Sequence, residues 1–501
     1  MGTAAATDNL KNGFPTPGPQ CPTGQRVMDH VFFLSNEEWK KARETTDYDF
    51  VVIGSGFCSY AFANRILSQS PHSRILILER GTFFLPEHFQ NLPLPYVGTL
   101  GGMSETFPWT LSNKTSNADT GHIRWQHGMV PFFGGRSTLW SAWCPRPTEK
   151  ELDGWPDETK AVISKYLDSA EELLHVKPVN ELDNDRDEQT LKIINQQRPV
   201  YGMLQQQIQT LLEMNAKSID GIYRVQAAPL ASGTEDLDGV DFQKFSIPGE
   251  LLSTVIKQKN LYLQKKGAPL NIATQCIVEN IIHQNGQATA LKTSRGILPL
   301  GNAKLILAMG TLPPTTLIQN SFPDADNIGS RFSAHFITAI VARVPQKDLE
   351  PSDGFADLEL GACYIGGIGK DYKQQYHIQL SALCDQNPDK NAATALRYMP
   401  DVVATASMAQ LQSSKDHVVF VCAVLGELDH RNSQNWFTNN PQDEDTTTNS
   451  LLQIIENQND SETWNAMDEA TFKVLEEVLS PKGSSRVEYW HGSPDEGHWS
   501  P

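Results

Sequence analysis

An apolar run from Phe50 to Ile53 leads straight into Gly54-Ser55-Gly56, and a second run, Ile75-Leu76-Ile77-Leu78, ends on Glu79. Between them lies a helix pattern with small residues at Ser59, Ala61 and Ala63. Strand, glycine turn, helix, strand and acid, in that order, make a dinucleotide-binding βαβ unit. Gly54 allows the tight turn, and Gly56 lets backbone N–H groups approach a pyrophosphate. Phe57 and Cys58 open the helix, whose partial positive end faces the same phosphates. Glu79 follows Gly56 at about the 20-residue spacing of a carboxylate that accepts from ribose hydroxyls. Where the fingerprint has a third glycine the chain has Ser59. An acid rather than a base after the second strand disfavours a 2′-phosphate, and Arg80, next to Glu79, is counted among the cofactor-binding residues.

At 501 residues the chain is too long for one simple core, and two or three domains are expected. Its net charge of −18 makes nucleic acid and anionic membranes poor partners. The seven cysteines (Cys21, Cys58, Cys144, Cys276, Cys363, Cys384 and Cys422) are scattered, without CxxC or Cys/His clusters. Neither a metal site nor a disulfide framework is expected. The N-terminus lacks the basic and apolar regions of a secretory signal, and no apolar run reaches the ~20 residues of a membrane span. A cytoplasmic protein is the expectation, and the sequons at Asn113 and Asn459 are read as chance.

Residues 1–46 read as a surface arm, and 82–135 as a long loop region of the kind that covers ligands. Helices are expected over 157–176, capped by Asp157, over 201–215 and over 468–479. Strands are expected at 261–263, 274–282, 288–291, 304–307, 335–344, 377–384 and 417–425, the last three forming an antiparallel sheet.

Three further segments narrow the reading. They are Gly134-Gly135-Arg136-Ser137-Thr138-Leu139-Trp140 through Arg146, Leu305 through Ala308-Met309-Gly310, and Asn327-Ile328-Gly329 through His335. Together with the βαβ unit, in this order and spacing, they make the chain resemble the glucose–methanol–choline (GMC) family of FAD-dependent oxidoreductases, including its pyranose-oxidase-like branch. The resemblance covers residues 47–335 and weakens through 336–480. It implies an α/β, α+β overall, fold: a Rossmann-like FAD-binding domain (47–156 and 246–335) with an inserted substrate domain (157–245 and 336–480) built on an antiparallel sheet plus helices. A C-terminal tail would follow at 481–501. It also implies oxidation of a CH–OH group on a small molecule (an alcohol, sugar or secondary-metabolite hydroxyl) to a carbonyl, with hydride transfer to flavin. Gly134, Gly135 and Ser137 would run beside the flavin ring, Val278 would present backbone to adenine, and Gly310 would pack near the cofactor.

Leu139 stands where the pyranose-oxidase branch has a flavin-linked histidine, so FAD is expected to be non-covalent. Trp140 and Trp143 read either as an aromatic wall near the flavin or as core tryptophans. The family's catalytic histidine segment has no counterpart. His491 and His498 are the weak candidates, and the chain is expected to lack its catalytic end. A truncated or degenerate relative that binds flavin weakly, and an NAD-dependent dehydrogenase, are the alternative readings.

Overall fold

The computed structural model describes residues 28, 31–45, 47–91, 110–115, 130–182, 200–233, 243–352, 354–369, 375–400, 407–493 and 496–501. Cys21, most of the expected arm and much of the 82–135 loop region lie outside the described residues.

Two sheets organise the chain. The first is parallel, with Phe50–Ile53 between Ile75–Leu78 and Lys304–Leu307, and with Leu270–Ala273 on the far side of Ile75–Leu78. In sequence order this is 3-2-1-4, the arrangement of a Rossmann-like half. Ile75 to Leu78 are all fully buried, as expected for a parallel strand covered on both faces. Helix Phe57–Gln69 connects the first two strands, and helix Ile247–Leu263 precedes the third. The hydroxyl of Tyr60 on the former donates to Glu250 on the latter at 3.1 Å. A three-stranded antiparallel meander (Val278–Gln284, Gln287–Thr293, Gly296–Pro299) carries the chain from the third strand to the fourth.

The second sheet has seven strands in the order His498–Ser500, Glu488–His491, His335–Pro345, His417–Glu427, Gln375–Asp385, Leu358–Ile368, Ile222–Ala227, all antiparallel. Helices Met203–Asn215 and Gln458–Lys473 share a core with one face, through Leu204, Ile208, Met467 and Phe420. The other face contributes Val341, Leu360, Val419 and Val421 to the core that also holds Val52, Ile77 and Trp143. The fold is therefore mixed α/β, a Rossmann-like parallel sheet with a large antiparallel sheet packed beside it.

Several local expectations change. Residues 261–263 end helix Ile247–Leu263 rather than forming a strand, because Leu251, Leu252, Val255 and Gln258 set a helical period that includes them. The strand expected over 274–282 begins only at Val278, because residues 274–277 form a bend in which Gln275 has φ +51°. Helix Asp157–Leu173 begins one residue after its N-cap, Pro156, so Asp157 is not the cap, and none of its residues is buried. The last helix starts at Gln458, ten residues early, because Asn457 and Asp460 form a reciprocal capping box. The arm is not wholly superficial: helix Asn36–Thr45 buries Trp39, whose indole N–H donates to the Arg295 carbonyl at 2.9 Å. The segment expected as a tail supplies the last two strands at one side of the large sheet, Glu488–His491 and the edge strand His498–Ser500.

Gly54 ends the first parallel strand at φ +98°, and a Cβ there would lie 2.5 Å from the Ala308 carbonyl oxygen. Gly54→Ala is expected to destabilise the protein by about 2 kcal/mol or more, from left-handed backbone and overpacking together. Urea denaturation of the variant beside the wild type measures it.

Candidate dinucleotide site at the switch point of the parallel sheet

In an open sheet of this order, a crevice forms beyond the carboxyl ends of strands 1 and 4, where the connections diverge to opposite sides. Phe50–Ile53 and Lys304–Leu307 are those strands, in register from Phe50↔Lys304 to Ile53↔Leu307. Gly54 and Ala308 leave their ends side by side. The Ala308 amide still donates to the Ile53 carbonyl at 2.8 Å, and the Gly54 amide to the Leu78 carbonyl at 2.8 Å. Gly310, at φ +86°, has no atom within 4 Å of where a Cβ would stand, so it borders open space.

Helix Phe57–Gln69 begins at this crevice. Its N-cap, Gly56, is extended and offers no side chain to the first amides. Those N–H groups are what a helix N-terminus presents to an anion. A Cβ on Gly56 would meet one atom within 4 Å, the Gly134 carbonyl oxygen at 3.8 Å. The Gly134-Gly135 turn therefore sits across from Gly56 with a gap between them. Both its glycines have positive φ, +91° and +55°. Cys58 is exposed at the helix start, and Ser59 is fully buried with no partner for its hydroxyl, filling the third-glycine position.

One buried chain of hydrogen bonds ties the sequence motifs together. The Ile247 amide donates to Ser137 Oγ at 3.0 Å, and Ser137 Oγ donates to the Gly134 carbonyl at 2.7 Å. The Gly134 amide donates to Ser55 Oγ at 2.9 Å, and Ser55 Oγ donates to Glu79 Oε2 at 2.5 Å. The Gly81 amide donates to Glu79 Oε1 at 2.8 Å. Burial is the main influence on Glu79 and raises its pKa, against the lowering pull of Gly81 and Ser55. A carboxylate has about four lone-pair positions, so Glu79 retains acceptor capacity for a ribose hydroxyl.

The remaining expected residues divide. Phe57 meets the ring of Trp140 edge-on at 4.8 Å, so Trp140 stands over the start of the helix, while Trp143 is buried in the core. Trp140 is fixed at both ends: its indole N–H donates to the Phe245 carbonyl at 2.7 Å, and its own carbonyl lies 2.7 Å from His88 Nε2. His88 is fully buried, and burial foremost holds its pKa down at about 3. Sequence reading missed this histidine because nothing nearby in the chain marks it as Trp140's partner. Val278 pairs with Thr293 at the start of the meander, two residues beyond Cys276, whose amide donates to the Glu79 carbonyl at 2.9 Å. Arg80 turns to the 445–447 loop, where it donates to Thr447 Oγ1 at 2.9 Å. His491 and His498 face each other across the C-terminal hairpin, both exposed, in register with one another and outside the Ser55–Glu79 network.

The residues present fit a dinucleotide: a glycine cradle, uncapped helix amides and a buried carboxylate at the end of the second strand. Among the described residues, no group of three or more His, Cys, Asp or Glu side chains is placed to hold a metal, and no helix is long and apolar enough to cross a membrane. No protein-family model matches the chain, and a search of curated proteins gives no match. Among solved structures the chain is similar to pyridoxine 4-oxidase from Mesorbium loti, at TM-score 0.43 and 12% identity over 85% of this chain and 80% of that one. At that level the likeness bears on neither detail nor function.

Because its pKa is raised in the fold, protonated Glu79 contributes stability that is fully present below the ordinary glutamate value of 4.5 and is lost as pH rises through the folded value. Glu79→Gln, always neutral, lacks that loss. The ligand-free variant is expected to gain stability relative to wild type as pH rises from 4 to 8, a trend that denaturant midpoints across the range would reveal.

Proposed function

We propose that this chain is an FAD-dependent oxidoreductase that binds its flavin dinucleotide non-covalently and oxidises a CH–OH group of a small molecule to a carbonyl. The observation that carries the proposal is the position of Gly54-Ser55-Gly56 at the 3-2-1-4 switch point, with Glu79 at the end of the neighbouring strand. The Gly134–Ser137 turn supports a flavin in particular, since Ser55 fastens it against the same cradle.

In this reading the amides from Gly56 to Cys58 hold the pyrophosphate, and Glu79 accepts from ribose hydroxyls. Ser55 keeps Glu79 oriented and, through Gly134, fixes the distance between the two glycine turns. Backbone near Val278 borders the adenine, and Gly310 leaves room beside the cradle. Trp140, clamped by Phe245 and His88, shields the entrance to the helix from water. A bound flavin supplies the two-electron acceptor that such an oxidation needs. Leu139 has no ring nitrogen for a covalent link. His88, with a pKa of about 3, is too weak a base to take a substrate proton at neutral pH and acts as a hydrogen-bond fixture. The exposed pair His491 and His498 stays a candidate for proton transfer only if substrate reaches the hairpin.

Purified protein is expected to be yellow, or to become so with added FAD, and acid precipitation should leave the chromophore in the supernatant. Gly56→Val places a branched side chain in the gap beneath Gly134 and should abolish flavin uptake while the protein stays folded by circular dichroism. A colourless protein that takes up NAD instead would contradict the proposal, and flavin retained in the acid pellet would contradict its non-covalent part.

A further inference from the structure

A second concave site lies at one end of the seven-stranded sheet, on the face that also meets the nucleotide-side core. It is a cavity of about 170 Å³. His335, His377, Tyr364 and Glu427 line it from four adjacent strands, with Arg146 and Glu151 at its rim. The register explains the convergence: His335 pairs with Glu427, His377 with both Leu425 and Gly366, and Tyr364 lies two residues before Gly366 on the same face. The rings of His335 and His377 are 5.8 Å apart, and those of His377 and Tyr364 are 5.1 Å apart at a tilt of 31°.

The charges at the rim are already matched. Arg146 pairs with Glu171 and, at 2.6 Å, with Asp168. Arg224, stacked over Tyr364 at 5.1 Å, donates to Glu151, to Gln226 and to the Arg146 carbonyl. Glu151 also accepts from the Tyr223 hydroxyl at 2.7 Å. What the cavity leaves unmatched is of another kind. Among the described residues, the Tyr364 hydroxyl, both ring nitrogens of His335 and the Glu427 carboxylate have no hydrogen-bond partner; His377 has one, the Gln379 amide at 3.2 Å from Nε2. A tyrosine hydroxyl and a neutral imidazole each donate and accept.

We infer that this cavity binds a small uncharged molecule carrying at least two hydroxyl groups, held by His335, His377, Tyr364 and Glu427. A hydroxyl answers groups that both donate and accept, because it does the same. An inorganic anion only accepts and would be set against Glu427. An ammonium only donates and would leave the Tyr364 hydroxyl and the imidazole N–H groups without an acceptor. Both histidines stay neutral donors and acceptors, since burial lowers their pKa values, that of His377 to about 3. With so low a value His377 holds a ligand rather than taking its proton at neutral pH. None of the residues that line the cavity belongs to the Ser55–Glu79 hydrogen-bond network, and the inference does not rest on flavin binding.

Calorimetric titration of the full chain with myo-inositol, xylitol, inorganic phosphate and ethylammonium tests the assignment. A polyol should bind and the two ions should not. Tyr364→Phe removes one oxygen and should weaken polyol binding by roughly threefold to tenfold, the share of one neutral hydrogen bond. His377→Asn provides a second, independent variant and should weaken it as well. Gly56→Val, which blocks the other site, should leave polyol binding unchanged, so a failure here is separable from a failure of the flavin proposal. Equal or tighter binding of phosphate or ethylammonium, absence of polyol binding, or polyol affinity unaltered in both Tyr364→Phe and His377→Asn would overturn it.

Discussion

The contact between Gly54 and Ala308 is the constraint on which the nucleotide half of this protein depends. Two parallel strands end together, and their chains turn away from one another in a space that admits no side chain at Gly54. That closeness aims the N-terminus of helix Phe57–Gln69 into the crevice and sets Ser55 where its hydroxyl reaches Glu79. A buried carboxylate is unfavourable unless hydrogen-bonded. Glu79 receives bonds from Ser55 and Gly81, and Ser55 in turn holds Gly134. Four segments far apart in sequence are thus fixed by one polar chain running through an otherwise apolar core.

The large antiparallel sheet contributes differently. Its two faces belong to different cores, one with helices Met203–Asn215 and Gln458–Lys473, the other continuous with the parallel sheet. Most positions on the second face are apolar, as packing requires. At one end of that face the pattern gives way to His335, His377 and Tyr364, which line a cavity together with Pro145, Pro147 and Glu151. A break of this kind in a sheet face marks a surface shaped for something other than packing.

Three of the four parallel strands could be read from sequence because each is a short unbroken apolar run next to a glycine, a small residue or an acid: Phe50–Ile53 before Gly54, Ile75–Leu78 before Glu79, Lys304–Leu307 before Ala308. The fourth, Leu270–Ala273, was not expected, because polar Asn271 interrupts its apolar run. The long strands at 335, 375 and 417 were legible from alternation and apolar content, to within two residues at each end. Less legible were positions decided by tertiary partners. Residues 261–263 have strand-like composition but complete a helix whose other turns are buried against the sheet. Trp39 sits in a charged helix, and only its burial beside Arg295 reveals it as core. Gly54, Ser55, Gly56 and Glu79 were recognisable as a group, whereas the hydroxyl of Ser55 as the link to Gly134 was not, since 79 residues separate them. The His335–His377 cavity depends on strand register, which a single sequence does not specify.

Hydrogen–deuterium exchange with and without FAD tests the central claim most directly, because protection reports the backbone a ligand covers. Slowed exchange on adding FAD should concentrate at residues 55–59, 79–81 and 134–138, with the strands 358–368 and 417–427 unchanged. Protection absent from residues 55–59, or equal protection produced there by NAD, would contradict it.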